Sequence, residues 1–218
     1  MASSPEWDQQ QPPTLRWCSV CGQGLPRGGL CPNRWCSRAD RQFSVVFSAG
    51  VYSGSLRSCI VAYKYRHERW RAAPLARLLA SYLSQHATWF EEFDLIVPMP
   101  AYLGPGARRR WDPTGLLVQR LSEMLEAGWD VDLRAVSKQA ETPALTGRSF
   151  TERLALAEGP LRRVLAVADP VRVRRATVLV VDDVFTEGCT LREVARVLLR
   201  AGAAEVAGLV LARPPWLG

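Results

Sequence analysis

Several things are scarce in this 218-residue chain, and each scarcity removes a class of protein. No apolar run approaches the roughly 18 residues that a membrane-spanning helix needs. The first residues, MASSPEWDQQQPP, are polar and acidic where a signal peptide would be basic and then apolar, so the expected location is the cytoplasm, with residues 1–14 as a disordered tail. Cysteine is too unevenly placed for a disulfide framework: four of the six crowd into Cys18 to Cys36, while Cys59 and Cys189 stand alone. Histidine is limited to His67 and His86, and neither forms a catalytic signature with Cys189. Lysine is limited to Lys64 and Lys138, and all other basic residues are arginine, through either forked phosphate contacts or genomic base composition. The net charge of +7 invites a polyanionic partner, whether nucleic acid or a phosphorylated small molecule.

What is present fits a folded domain with a small appendage, since 48% of the residues are hydrophobic. Residues 15–40 form an island of Cys, Gly, Pro and Arg with too few aliphatic residues for a core of their own. A boundary near residue 40 follows, with 41–218 as the main domain. There FSVVFSAGVY reads as strand or hairpin, and SGSLRSCIVAYKY as a helix opened by Ser53 or Ser55. Leu75, Leu78, Leu79, Tyr82 and Leu83 recur at helical spacing before a short strand over Asp94 to Val97. A helix through Leu117, Leu121, Met124 and Leu125 is expected to end near Gly128, with a strand around Val131 to Val136 and a helical turn or two over Phe150 to Leu156. ATVLVV is a continuous apolar run, as in a parallel strand covered on both faces. Thr190 with Glu193 predicts a capping box for a helix stopped at Gly202, and Val206 to Leu211 the next strand. The alternation predicts an α/β fold with a mostly parallel sheet.

Ligands of open parallel sheets bind beyond the carboxyl ends of the strands, where Asp182, Asp183 and the following loop lie. Val184, Phe185, Thr186, Glu187, Gly188, Cys189 and Thr190 offer consecutive backbone N–H groups, a glycine, two threonine hydroxyls and a helix N-terminus, which together make an anion site. Two carboxylates would repel a phosphate at contact but suit sugar hydroxyls or a magnesium ion beside it. A ribose 5′-phosphate meets both demands. VLVVDDVFTEGCT accordingly resembles the phosphoribosyl pyrophosphate signature of type I phosphoribosyltransferases.

Cys18 with Cys21, and Cys31 with Cys36, can supply four thiolates to one structural zinc, which would explain how the island folds. The CxxC start, VYSGSLRSCIVAYKYR, LIVPMPA, RRRWDPTGLL and the final signature together resemble the ComF family, competence-associated phosphoribosyltransferase-like proteins with an N-terminal cysteine module. The resemblance implies that Pro98, Met99, Pro100, Ala101 and Tyr102 bind pyrophosphate with Lys64 nearby. It also implies Mg²⁺-bound phosphoribosyl pyrophosphate losing pyrophosphate to an acceptor, with Asp182 and Asp183 as catalytic residues. Two departures stand out. Glu187 puts a carboxylate into a loop meant for a dianion, so it must point outward or affinity falls, and the family's RGFNQ-like segment is only RRWDP at Arg109 to Pro113. The competing reading is a DNA-processing accessory protein with a ligand-sensing or vestigial pocket. In it Trp17, Trp35, Arg16, Arg34, Arg38 and Arg41 would hold single-stranded DNA rather than pack the finger against its neighbour, and the run Arg108 to Arg110 stays open to pyrophosphate loop, DNA groove or solvated loop.

Overall fold

The computed structural model describes residues 16–25, 30–125, 129–145 and 147–215; the expected tail and the expected helix end near Gly128 lie outside these. A two-stranded antiparallel ribbon, β1 (Arg16–Trp17) and β2 (Gly24–Leu25), opens the cysteine-rich island. There follow β3 (Val46–Ser48), α1 (Gly54–Tyr65), α2 (Ala72–Gln85), a single turn α3 (Ala87–Phe90), β4 (Leu95–Pro98) and α4 (Pro113–Ser122). The chain continues through β5 (Asp130–Val131), β6 (Val136–Lys138), α5 (Phe150–Leu156), a turn α6 (Arg162–Val164), β7 (Leu165–Val167) and a turn α7 (Pro170–Val173). It closes with β8 (Thr177–Val184), α8 (Cys189–Arg200) and β9 (Glu205–Ala212).

Five strands form one sheet in the order β3-β9-β8-β4-β5, and every pairing in it is parallel. The continuous apolar character of β8 has a direct cause. Val178 and Val180 join the core beneath α8, while Leu179 and Val181 join the core shared with α1, α2 and α4, so both faces of the strand are buried. Gly208 of β9 lets α8 pack close: a Cβ there would lie 2.8 Å from Leu191 Cδ2.

The segment from Phe43, expected as strand or hairpin, forms the strand β3, parallel to β9. Two local expectations need correction. The strand expected over 131–136 is split, because Arg134 N–H donates to Asp132 Oδ1 at 2.8 Å in an exposed turn; β5 joins the main sheet and β6 pairs antiparallel with β7. The capping box expected at Thr190 and Glu193 does not form. Gly188, in the left-handed region at φ 91°, is the N-cap of α8, and Glu193 turns inward and is fully buried. A capping box does open α5, where Ser149 and Glu152 bond reciprocally.

Candidate functional site

The carboxyl ends of β4 and β8 open into a cleft of about 770 Å³. Its walls bring together the expected Asp182, Asp183 and the whole of Val184 to Thr190 with Met99, Pro100, Ala101, Tyr102 and Lys64. Pro98 ends β4 and is buried just behind this wall. The loop after β4 is tied to the acidic strand by a backbone hydrogen bond from Met99 N–H to Val181 O, 2.8 Å long. Arg108 and Arg109, from the run whose use was open in the sequence, complete the far wall together with Lys138, Glu141, Thr142 and Arg153, which sequence alone did not single out. Arg108 bonds Glu141 and the Thr142 carbonyl, which fastens the loop before α4 to the segment after β6. Arg109 shares the cleft, while Trp111 and Asp112 of RRWDP are structural. Trp111 is buried with its indole N–H on His67 Nδ1 at 2.8 Å, and Asp112 caps α4 through Gly115 N–H at 2.9 Å.

The acidic pair is electrostatically asymmetric. The Lys64 ammonium, brought in by the last turn of α1, forms an ion pair with Asp183 Oδ2. Burial pushes the Asp183 carboxyl up, but the Lys64 charge outweighs it and holds this group below its ordinary range. Asp182 is pushed well above that range, by burial first and by the neighbouring Asp183 charge second. Two carboxylates therefore share one ammonium, a donor set that suits a divalent cation or sugar hydroxyls. Across the cleft, Lys138 is shifted down by burial.

Glu187 does not confront the loop as a free charge. Arg153 of α5 reaches it, Nη1 to Oε2 at 3.2 Å, and also contacts Thr186 Oγ1 at 3.4 Å. Nothing local to FTERLAL marks Arg153 for this role; the partner is 34 positions away. Cys189 is buried at the start of α8, and burial pushes its thiol up, which suits scaffolding better than nucleophilic attack.

The ligand sulfurs of Cys18, Cys21, Cys31 and Cys36 all lie within 4.8 Å of one another, and none is in a disulfide. A tetrahedral zinc with bonds of about 2.3 Å sets sulfurs roughly 3.8 Å apart, so this donor set fits. The aromatic and basic residues around the cluster are largely committed elsewhere. Trp35 is fully buried, with the guanidinium of Arg192 4.5 Å from its ring centroid, so it cannot stack on a base. Arg41 bonds the Phe43 and Cys36 carbonyls, whereas Arg34 and Arg38 remain exposed.

Residues 116–215 match the phosphoribosyl transferase domain family. A relative from Salmonella typhi, DNA utilization protein YhgH, is 30% identical over 205 residues, covering 87% of this chain and 86% of the relative. Competence protein F of Haemophilus influenzae is 28% identical over 215 residues, covering 94% of this chain and 88% of that protein. Among solved structures, a hypoxanthine phosphoribosyltransferase from Staphylococcus aureus superposes loosely, with a TM-score of 0.41, 10% identity, and coverage of 64% of this chain and 62% of that one.

Proposed function

Because this chain belongs to the ComF family, we propose that its cleft binds phosphoribosyl pyrophosphate with Mg²⁺ and transfers the phosphoribosyl group to an acceptor. The observation that carries this reading is the pair Asp182 and Asp183, sharing the Lys64 charge at the end of β8 and facing a loop that enters α8 through left-handed Gly188. The N–H groups of that loop and the N-terminal end of α8 favour a 5′-phosphate. Arg153 supports the same assignment by balancing Glu187. The ribose hydroxyls fall to Asp182 and Asp183, and the loop after β4 takes the pyrophosphate together with Arg108, Arg109 and Lys138. Magnesium, when bound, is held on the acidic side of the cleft and supplies positive charge to the leaving pyrophosphate. As the C1–pyrophosphate bond breaks, positive charge grows on the ribose, and the Asp182 and Asp183 carboxylates lower its energy. On this reading residues 15–40 are a zinc module docked on a transferase-like domain spanning 41–218.

Titration calorimetry with phosphoribosyl pyrophosphate and Mg²⁺ tests the site on wild type and on the Asp182→Asn/Asp183→Asn double variant. Saturable binding by the wild type and its loss in the variant are expected. No binding by the wild type, or equal binding by both, would overturn the assignment.

A second reading takes its support from the relatives' names, DNA utilization and competence, and from exposed Arg34 and Arg38 beside the cysteine cluster. Here the chain is a DNA-processing accessory protein whose cleft senses a ligand. Its test is a salt-dependent shift of single-stranded DNA that disappears when Arg34 and Arg38 are replaced.

A further inference from the structure

The cysteine cluster and the ligand cleft are built from different parts of the chain, yet the island touches the Val184 to Thr190 loop and α8 at three separate places. Asn33, between Cys31 and Cys36, is buried, and its side-chain amide donates to the Glu187 carbonyl at 3.3 Å. The same Asn33 is locked by its Oδ1, which accepts from Trp35 N–H at 2.9 Å, so its position is set by the turn that carries Cys36. Arg213, just beyond β9, donates to the Cys21 carbonyl and lies 5.7 Å over the ring of Phe185. Arg192, in the first turn of α8, stacks on Trp35 and bonds Asp40. The other ties of this segment are the Phe185 N–H bond to the Ala212 carbonyl at 3.1 Å and the packing of Phe185 on Phe43, whereas at Glu187, next to left-handed Gly188, only the side chain of Arg153 adds to Asn33 among the described side-chain contacts.

We propose that the metal-loaded cysteine cluster is a brace for the ligand loop, with Asn33 as the positioning residue that transmits it, so that loss of metal loosens residues 184–190 and weakens anion binding in the cleft. The physical reason is the link from metal to fold. A core-poor island keeps its turns only while its four thiolates are gathered, and Asn33 lies inside one of those turns. The ligand-affinity part rests on the proposed phosphoribosyl pyrophosphate site; the loop-ordering part does not.

The experiment compares metal-loaded wild type, Asn33→Ala and Cys31→Ser/Cys36→Ser by hydrogen–deuterium exchange of a peptide covering 184–190. Calorimetry with phosphoribosyl pyrophosphate and Mg²⁺ runs in parallel. Asn33→Ala should keep its metal content and melting cooperativity, expose the loop amides to faster exchange, and bind the probe about tenfold more weakly, as loss of a buried hydrogen bond predicts. The cysteine variant should show the larger loop effect. If Asn33→Ala leaves loop exchange at the wild-type rate, the brace is refuted, whether or not the probe binds. If loop exchange rises while wild type binds no probe, the brace stands and the ligand assignment falls.

Discussion

Glu193 offers the sharpest test of how this molecule is held together. Its side chain is fully buried in α8, yet it accepts from Arg162 at 2.7 and 2.9 Å, from Arg192 at 2.8 Å and from Arg196 at 2.8 Å. Glu193→Gln keeps the shape and removes the charge, leaving three guanidiniums around one neutral amide, two of them on nearly buried residues. Breaking a buried ion pair from one side costs about 3–5 kcal/mol. For a domain of this size each kcal/mol moves Tm by about 2–4 °C, so Tm should fall by roughly 6–20 °C at neutral pH. Burial alone would push the Glu193 carboxyl up, but Arg162 and Arg196 outweigh it and hold it below its ordinary 4.5 in the folded state. A lowered folded-state value stabilises fully above the unfolded value and is lost as pH falls through the folded one. The gap between wild type and variant should therefore be constant from pH 8 to about pH 5 and close on further acidification. Calorimetric melts across that range measure it. A Tm within about 2 °C of wild type at pH 7, or a gap that ignores acid, would refute the claim that this charge cluster is a net restraint on α8.

Other perturbations separate stability from binding. Asp182 is raised in the folded protein, so its ionised form costs stability once pH passes the ordinary carboxylate value; Asp182→Asn should raise Tm at pH 7–8 while abolishing calorimetric binding of the Mg²⁺ complex. In the wild type the same raised group predicts binding that strengthens as pH climbs through neutrality, and a flat pH profile would contradict it. Gly188→Ala places a Cβ 2.7 Å from the Phe185 ring at a φ of 91°, and should cost about 1–3 kcal/mol of stability, read from denaturant midpoints. Elemental analysis of the purified chain should find about one zinc per chain, reduced when Cys36 is replaced by Ser.

The parts legible in the sequence were those whose signal is local. The apolar run into Asp182 and Asp183 announced a buried parallel strand because both of its faces are covered, and cysteine spacing announced four thiols that the fold does gather. The parts that stayed hidden depend on distant partners. Glu193 read as a capping residue because its spacing from Thr190 is right, but three arginines draw it inward and Gly188 takes over the turn. Arg153 carried no local mark of its pairing with Glu187, and the β6–β7 pairing joins segments separated by a helix and a turn. Trp35 was open in the sequence to base stacking or to packing the cysteine module against its neighbour, and only its neighbours in space, which bury it, decide for packing.

The order of the sheet has a consequence for how the protein comes into being. β9 lies between β3 and β8, with Val46 paired to Gly208 on one side and Val178 paired to Val206 on the other. A ribosome delivers β3 long before its partner and β8 with one edge still open. Until β9 emerges, the nascent chain carries an unpaired apolar strand edge, the kind of surface that recruits chaperones or neighbouring chains. The sheet, the anchoring Arg213 and the cleft are thus completed together by the strand made last among them.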